Sequence, residues 1–109
     1  MQKKQYGYTD LLEIMRMLRA PGGCPWDREQ DHESLKKYFI EETYEVLEAI
    51  DLKSPVKLCE ELGDVLLQVI FHARIAEENG QFTMEDVIDT VSKKMVHRHQ
   101  HVFGPAQAE

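Results

Sequence analysis

Two acidic motifs carry most of the chemistry this sequence offers. Glu42 and Glu45 stand three residues apart, as do Glu61 and Asp64, and both pairs lie where apolar residues recur at helical spacing. Side chains three apart on a helix are surface neighbours, so each motif is a close carboxylate pair. On a wheel advancing about 100° per residue, Leu35, Phe39, Val46, Ala49 and Ile50 form one apolar arc, with Glu42 near its middle and Glu45 at its edge. In the next segment Leu58, Leu62, Val65, Val69, Ala73 and Ala76 form the stripe; Glu61 borders it, and Asp64 and Gln68 extend a polar seam.

Four carboxylates on an interior seam repel one another and resist leaving water unless a positive charge neutralises them. A divalent cation does so, and oxygen ligands without thiolate or imidazole suit Mg²⁺, with Mn²⁺ as a substitute. Mg²⁺ usually keeps some of its water and completes its shell with substrate phosphate. The alternative is a set of ordinary solvated acids, since Glu is a good helix former. Against it stand Glu42, where Leu is expected, and Gly63, which costs a helix interior about 1 kcal/mol relative to Ala and would permit a close backbone approach.

A third stretch has the opposite charge. Ile88, Val91 and Met95 are expected to face the core, with Lys94 and Arg98, four apart, together on the border. An ammonium and a guanidinium so placed suit the phosphates of an anionic substrate, or else form a solvated basic edge that pairs with nearby acids. Trp26 can stack on a nucleobase or simply pack its own loop. His72 reads as a hydrogen-bonded structural histidine. His97, His99 and His101 alternate, which gathers them on one side only in an extended segment.

The elements that must hold these groups are helices. Leu11, Leu12, Met15 and Leu18 predict a first helix from Thr9, ended by Ala20-Pro21-Gly22-Gly23. Pro21 to His32 reads as a long ordered loop around Trp26. Ser34 is expected to cap a second helix from Leu35 to Asp51. A third runs from Pro55 to Glu78 before the stop signal Asn79-Gly80, and the short connection makes it the antiparallel neighbour of the second. Thr83 and Asp86 predict the cap of a fourth helix, and the tail from His97 to Glu109 is expected to leave it. No strand pattern or repeat occurs, so the fold class is all-α: four main helices in a bundle completed by oligomerisation.

Composition bounds the rest. The chain has 109 residues, 42% hydrophobic and 30% charged, a size and balance that predict a single globular domain spanning residues 1–109. A domain this small buries only about two thirds of its unfolded surface, which favours a partner subunit. Thirteen basic against 20 acidic residues leave a net charge of -7, which argues against a sequence-independent grip on nucleic acid. No apolar run is long enough to span a bilayer, and MQKKQYGYTD lacks the apolar region of a secretory signal, so a cytoplasmic location without membrane attachment is expected. Cys24 and Cys59 are too few for a zinc ribbon or a disulfide scaffold; both are expected reduced, with Cys59 in the core.

Four strings then align: GCPWD at Gly23 to Asp27, EETYE at Glu41 to Glu45, EELGD at Glu60 to Asp64, and KMVHRHQHVFG at Lys94 to Gly104. In this order and spacing the chain resembles the MazG-type nucleoside triphosphate pyrophosphohydrolases, from Leu18 to Gly104. The resemblance implies an all-α, Mg²⁺-dependent enzyme that cleaves between the α and β phosphates, releasing a nucleoside monophosphate and pyrophosphate. It carries metal ligation onto Glu42, Glu45, Glu61 and Asp64, and triphosphate contact onto Lys94 and Arg98. Glu41 or a metal-bound carboxylate is left to orient or deprotonate the attacking water. A homodimer or higher homo-oligomer is implied.

Two residues depart from the usual pattern: Asp31 stands where the family has Thr after Gln30, and Gln100 where it has Pro between His99 and His101. Relatives often continue past the HVFG segment, so one domain of a longer protein is among the expectations. The alternative function is a non-catalytic helical dimerisation or regulatory module that keeps the fold and metal site; loss of any of the four acids would favour it. A carboxylate-bridged iron protein would need Glu-x-x-His pairs, which neither acidic motif supplies.

Overall fold

Local capping chemistry sets most of the helix boundaries in the computed structural model, which describes residues 2–105. Helix α1 spans Tyr8–Arg19, with the Asp10 carboxylate accepting from the Gly7 backbone N–H at 2.8 Å. It ends at Ala20, in extended conformation before Pro21. Helix α2, Pro25–Glu29, is one short turn with proline in its first position, so the expected loop contains a helix.

Helix α3 spans His32–Asp51, one turn earlier than expected from Ser34. Its cap is Asp31, whose carboxylate accepts from the Ser34 N–H at 2.7 Å while the Ser34 hydroxyl accepts from the Asp31 N–H at 2.9 Å. Ser34 is thus the other half of a reciprocal box, three residues inside the helix. After Leu52, Lys53 and Ser54 the chain reverses into α4, Pro55–Glu78, capped by Ser54 and stopped at Asn79. Gly80 follows at φ 70°, a left-handed conformation that glycine adopts without strain. Helix α5, Met84–Arg98, carries the expected Thr83 and Asp86 box. The chain breaks at His99, and α6, Gln100–Phe103, adds a turn where no helix was expected.

Helices α3 and α4 form an antiparallel hairpin, the main packing of the molecule; α1 lies against α2 and α4, and α5 against α4. The core gathers at one end of the hairpin. Met15, Leu35, Ile70, Phe71 and Ile75 are buried there, with Leu11, Leu12, Tyr38, Leu67 and Met84 packed around them. Fully burying each such side chain stabilises by about 1.5–3 kcal/mol. Among the described residues there is no strand, and no helix is long and apolar enough to cross a membrane.

Several expected core positions lie outside this cluster. Ile50 and Leu62 are about half exposed, as are Ile88, Val91 and Met95 on α5, which has no buried residue. Cys59 is exposed too, and nothing approaches the Cβ position of Gly63. Each of these faces is apolar in sequence, as the wheel shows, but one copy of the chain supplies nothing to cover it.

Candidate functional site

The hairpin brings Glu42 of α3 to Glu61 and Asp64 of α4. One carboxylate oxygen from each lies within 4.8 Å of the other two, the spacing of a cation-binding group. The wheel put Glu42 deepest; instead Glu61 is buried, at 6% exposure, and Glu42 and Asp64 are half-buried. The reason is the register of the two helices, which places the Glu61 edge of α4 against α3.

Burial pushes the Glu42 carboxyl above the ordinary range, and the charges of Asp64, Glu45 and Glu41 push it further. Burial does the same to Glu61; Lys57 opposes the rise, and Asp64, Glu45 and Glu60 add to it. Lys57 Nζ lies 3.8 Å from Glu61 Oε1, one turn away on the same helix. It is the only cation paired with these acids among the described residues, and its signal in the sequence was the four-residue spacing to Glu61. Glu45 and Glu41 are exposed and outside the 4.8 Å group, close enough to act through their charge.

The donor set fits a hard divalent cation. All three ligand atoms are carboxylate oxygens, the group is open to water on the Glu42 and Asp64 side, and its unbalanced negative charge is what such an ion relieves.

Beyond the carboxylates, toward the core end, the hairpin carries aromatic groups. Trp26 sits edge-on to Tyr38 of α3, ring centroids 5.6 Å apart, and to Phe71 of α4 at 6.3 Å. Trp26 is 47% exposed, so part of it remains available. Arg19 holds the turn that carries it. The guanidinium donates from Nη1 to the backbone oxygens of Asp27 and Gln30 at 2.6 and 3.1 Å, and from Nε and Nη2 to Glu78 at 2.9 Å each, while lying over the Phe71 ring. A Cβ on Gly23 would overlap the carbonyls of Met17 and Leu18, so glycine lets this turn close against α1. Sequence reading missed Arg19 because its partners are up to 59 residues away.

His72 has the hydrogen-bonded role expected of it. Its Nδ1 lies 2.7 Å from Nδ1 of His32, with the rings nearly parallel and their centroids 5.0 Å apart, an edge-to-edge pair in which one nitrogen donates and the other accepts. His99 and His101 lie side by side, 5.6 Å between centroids, and join no metal-binding group among the described residues. Lys94 and Arg98 are exposed on α5, which packs on α4 and not on α3. Neither makes an ion pair among the described residues, and one copy of the chain does not bring them into the carboxylate group.

Known proteins resemble this chain over most of its length. The model of the MazG nucleotide pyrophosphohydrolase domain matches residues 30–103, which include all four seam acids and both α5 cations. Nucleoside triphosphate pyrophosphohydrolase/pyrophosphatase MazG of Thermotoga maritima is 61% identical over 97 residues, 89% of this chain and 38% of that protein. Nucleoside triphosphate pyrophosphohydrolase of Escherichia coli K12 is 48% identical over 100 residues, 91% of this chain and 38% of that one. The chain therefore spans well under half of these curated relatives. The crystal structure of a mazG-related protein from Thermotoga maritima superposes with a TM-score of 0.74 at 32% identity, covering 90% of this chain and 84% of that one. With the acidic hairpin in place and a family model covering most of its length, the chain belongs to the MazG nucleotide pyrophosphohydrolase domain family.

Proposed function

We propose that this chain hydrolyses nucleoside triphosphates at the α-β phosphate bond, with Mg²⁺ and with Mn²⁺ as a substitute, to give nucleoside monophosphate and pyrophosphate. The observation that carries this reading is the convergence of Glu42, Glu61 and Asp64 within 4.8 Å on an antiparallel hairpin. These three acids hold the metal, with Glu45 completing the set from the next turn of α3. When bound, the metal polarises phosphoryl oxygens, offsets charge on the leaving pyrophosphate and lowers the pKa of water.

The chain's own groups do the remainder. Water attacks the α phosphorus, the bond to the α-β bridging oxygen breaks, and a seam carboxylate or Glu41 takes the proton. Lys94 and Arg98, which make no ion pair among the described residues, supply donors to the triphosphate, and the exposed part of Trp26 receives the base. The role is control of the nucleotide pool or removal of unwanted nucleotides in the cytoplasm.

The working form is a homodimer or higher homo-oligomer. The chain has 8146 Å² of accessible surface and a radius of gyration of 17.1 Å. A self-sufficient monomer of this mass exposes about 6,200 Å² and has a radius near 13 Å. The excess includes the half-exposed Ile88, Val91 and Met95 of α5 and Ile40, Tyr44 and Leu47 of α3, apolar surface that a second copy would cover.

The test is pyrophosphate release from a panel of canonical and modified nucleoside triphosphates, first with Mg²⁺ and then with EDTA. Metal-dependent release with equimolar monophosphate is expected. No release from any nucleotide by folded protein refutes the activity.

A further inference from the structure

Gln68 is a polar side chain that the fold leaves unused. It is 8% exposed, makes no hydrogen bond, and its Oε1 is the one buried side-chain oxygen or nitrogen without a partner among the described residues. Its Nε2 is not sealed in the same way. Exchanging the two ends of the amide would only replace an orphan acceptor by an orphan donor. A methionine would fill the same space without that cost, so the fold itself has no need of the amide.

Its place on the hairpin says what it can meet. Glu61, Asp64, Gln68 and Phe71 follow one another at spacings of three and four and share one stripe of α4. At the helical rise Gln68 lies about 6 Å beyond Asp64 and about 4.5 Å before Phe71. The register is pinned at both ends, by Glu42 against Glu61 and Asp64 and by His32 against His72. Trp26 touches the hairpin at Tyr38 and Phe71. The order along the hairpin is therefore carboxylates, then amide, then indole.

We infer that the Gln68 amide binds a sugar hydroxyl of the nucleotide, and so sets the enzyme's preference for the sugar. The inference rests on the activity proposed above: phosphates held at the carboxylates and a base on Trp26 leave the sugar over Gln68. A hydroxyl is donor and acceptor in one group, so its oxygen can accept from Nε2, the end of the amide that is not sealed, and it would pair equally well with the other end if the amide turned over.

The experiment compares the full chain with Gln68→Met, and with Gln68→Leu as a second variant, on a triphosphate and its 2′-deoxy and 3′-deoxy forms. Readouts are kcat, KM and Tm without nucleotide. The parent should prefer one sugar form, and the variants should raise KM for that form about tenfold, roughly the worth of one net hydrogen bond. They should keep kcat within a few-fold and a Tm at or above the parent's, and should treat the sugar forms alike within twofold. The 2′-deoxy and 3′-deoxy arms tell which hydroxyl is read. A parent that does not discriminate, or variants that keep its KM and its discrimination, overturn the inference while the hydrolase reading stands. A parent that neither turns over nor binds any triphosphate overturns both.

Discussion

Glu42→Gln removes one charge from the seam while keeping the side chain's size, and the stability it gains without metal should be largely cancelled when metal is present. Without metal the Glu42 carboxylate faces those of Asp64 and Glu61 at up to 4.8 Å. Two unit charges at that distance repel by about 0.9 kcal/mol in bulk water and about 3.5 kcal/mol at an effective dielectric of 20. Glu42 is half-buried, so relief from its repulsion should stabilise the metal-free variant by about 1–3 kcal/mol. At about 4 °C per kcal/mol for a chain of this size, its Tm should rise by about 4–12 °C.

With Mg²⁺ at a hundred times its dissociation constant, the parent gains about 2.7 kcal/mol, or about 10 °C. The variant, lacking a ligand oxygen of full charge, should keep less than a third of that gain and lose turnover. The assay is thermal unfolding followed by circular dichroism at pH 7.5, in EDTA and across a Mg²⁺ series at fixed protein concentration, because assembly also moves Tm. A variant that melts lower than the parent in EDTA, or shows the same Mg²⁺ shift, would mean that these are solvated acids with no shared ion.

Other perturbations reach other parts of the structure. Arg19→Met strands two backbone carbonyls and loosens Glu78, which is 30% exposed and keeps Arg74, so the loss should be about 2–3 kcal/mol by denaturant unfolding. Hydrogen bonding from Arg19 holds the Glu78 carboxyl below its ordinary range; that stability is present above the ordinary Glu pKa and lost as pH falls through the lowered one, so the gap between parent and variant should narrow in acid. Burial, then the facing His32, lowers the pKa of His72. Its neutral form therefore supports the fold above about pH 6.5, and that support is lost as pH falls toward the lowered value; stability of His72→Phe should fall less steeply there. Val91→Asp on α5 should turn the assembly seen in sedimentation velocity into monomers, and a parent that is monomeric at tens of micromolar refutes the proposed covering of that face.

Local signals in the sequence reached far into this structure. Helical periodicity and cap residues fixed the four long helices, the stop at Asn79 and Gly80, and the Thr83 box, because these depend on neighbours within four residues. The cap of α3 went to Asp31 because both it and Ser34 are good cap residues and only the folded turn shows which accepts from which. The acid spacing likewise identified the carboxylate pairs, but their ranking by burial waited for the register of α3 on α4, which put Glu61 deepest. A wheel finds an apolar face without saying what covers it, which is why Ile50, Leu62 and Val91 stand exposed in one copy of the chain. Arg19 on Glu78, Trp26 on Phe71 and the unpartnered Gln68 amide involve groups far apart in sequence or an interior that no local pattern encodes, so only the tertiary structure decided them.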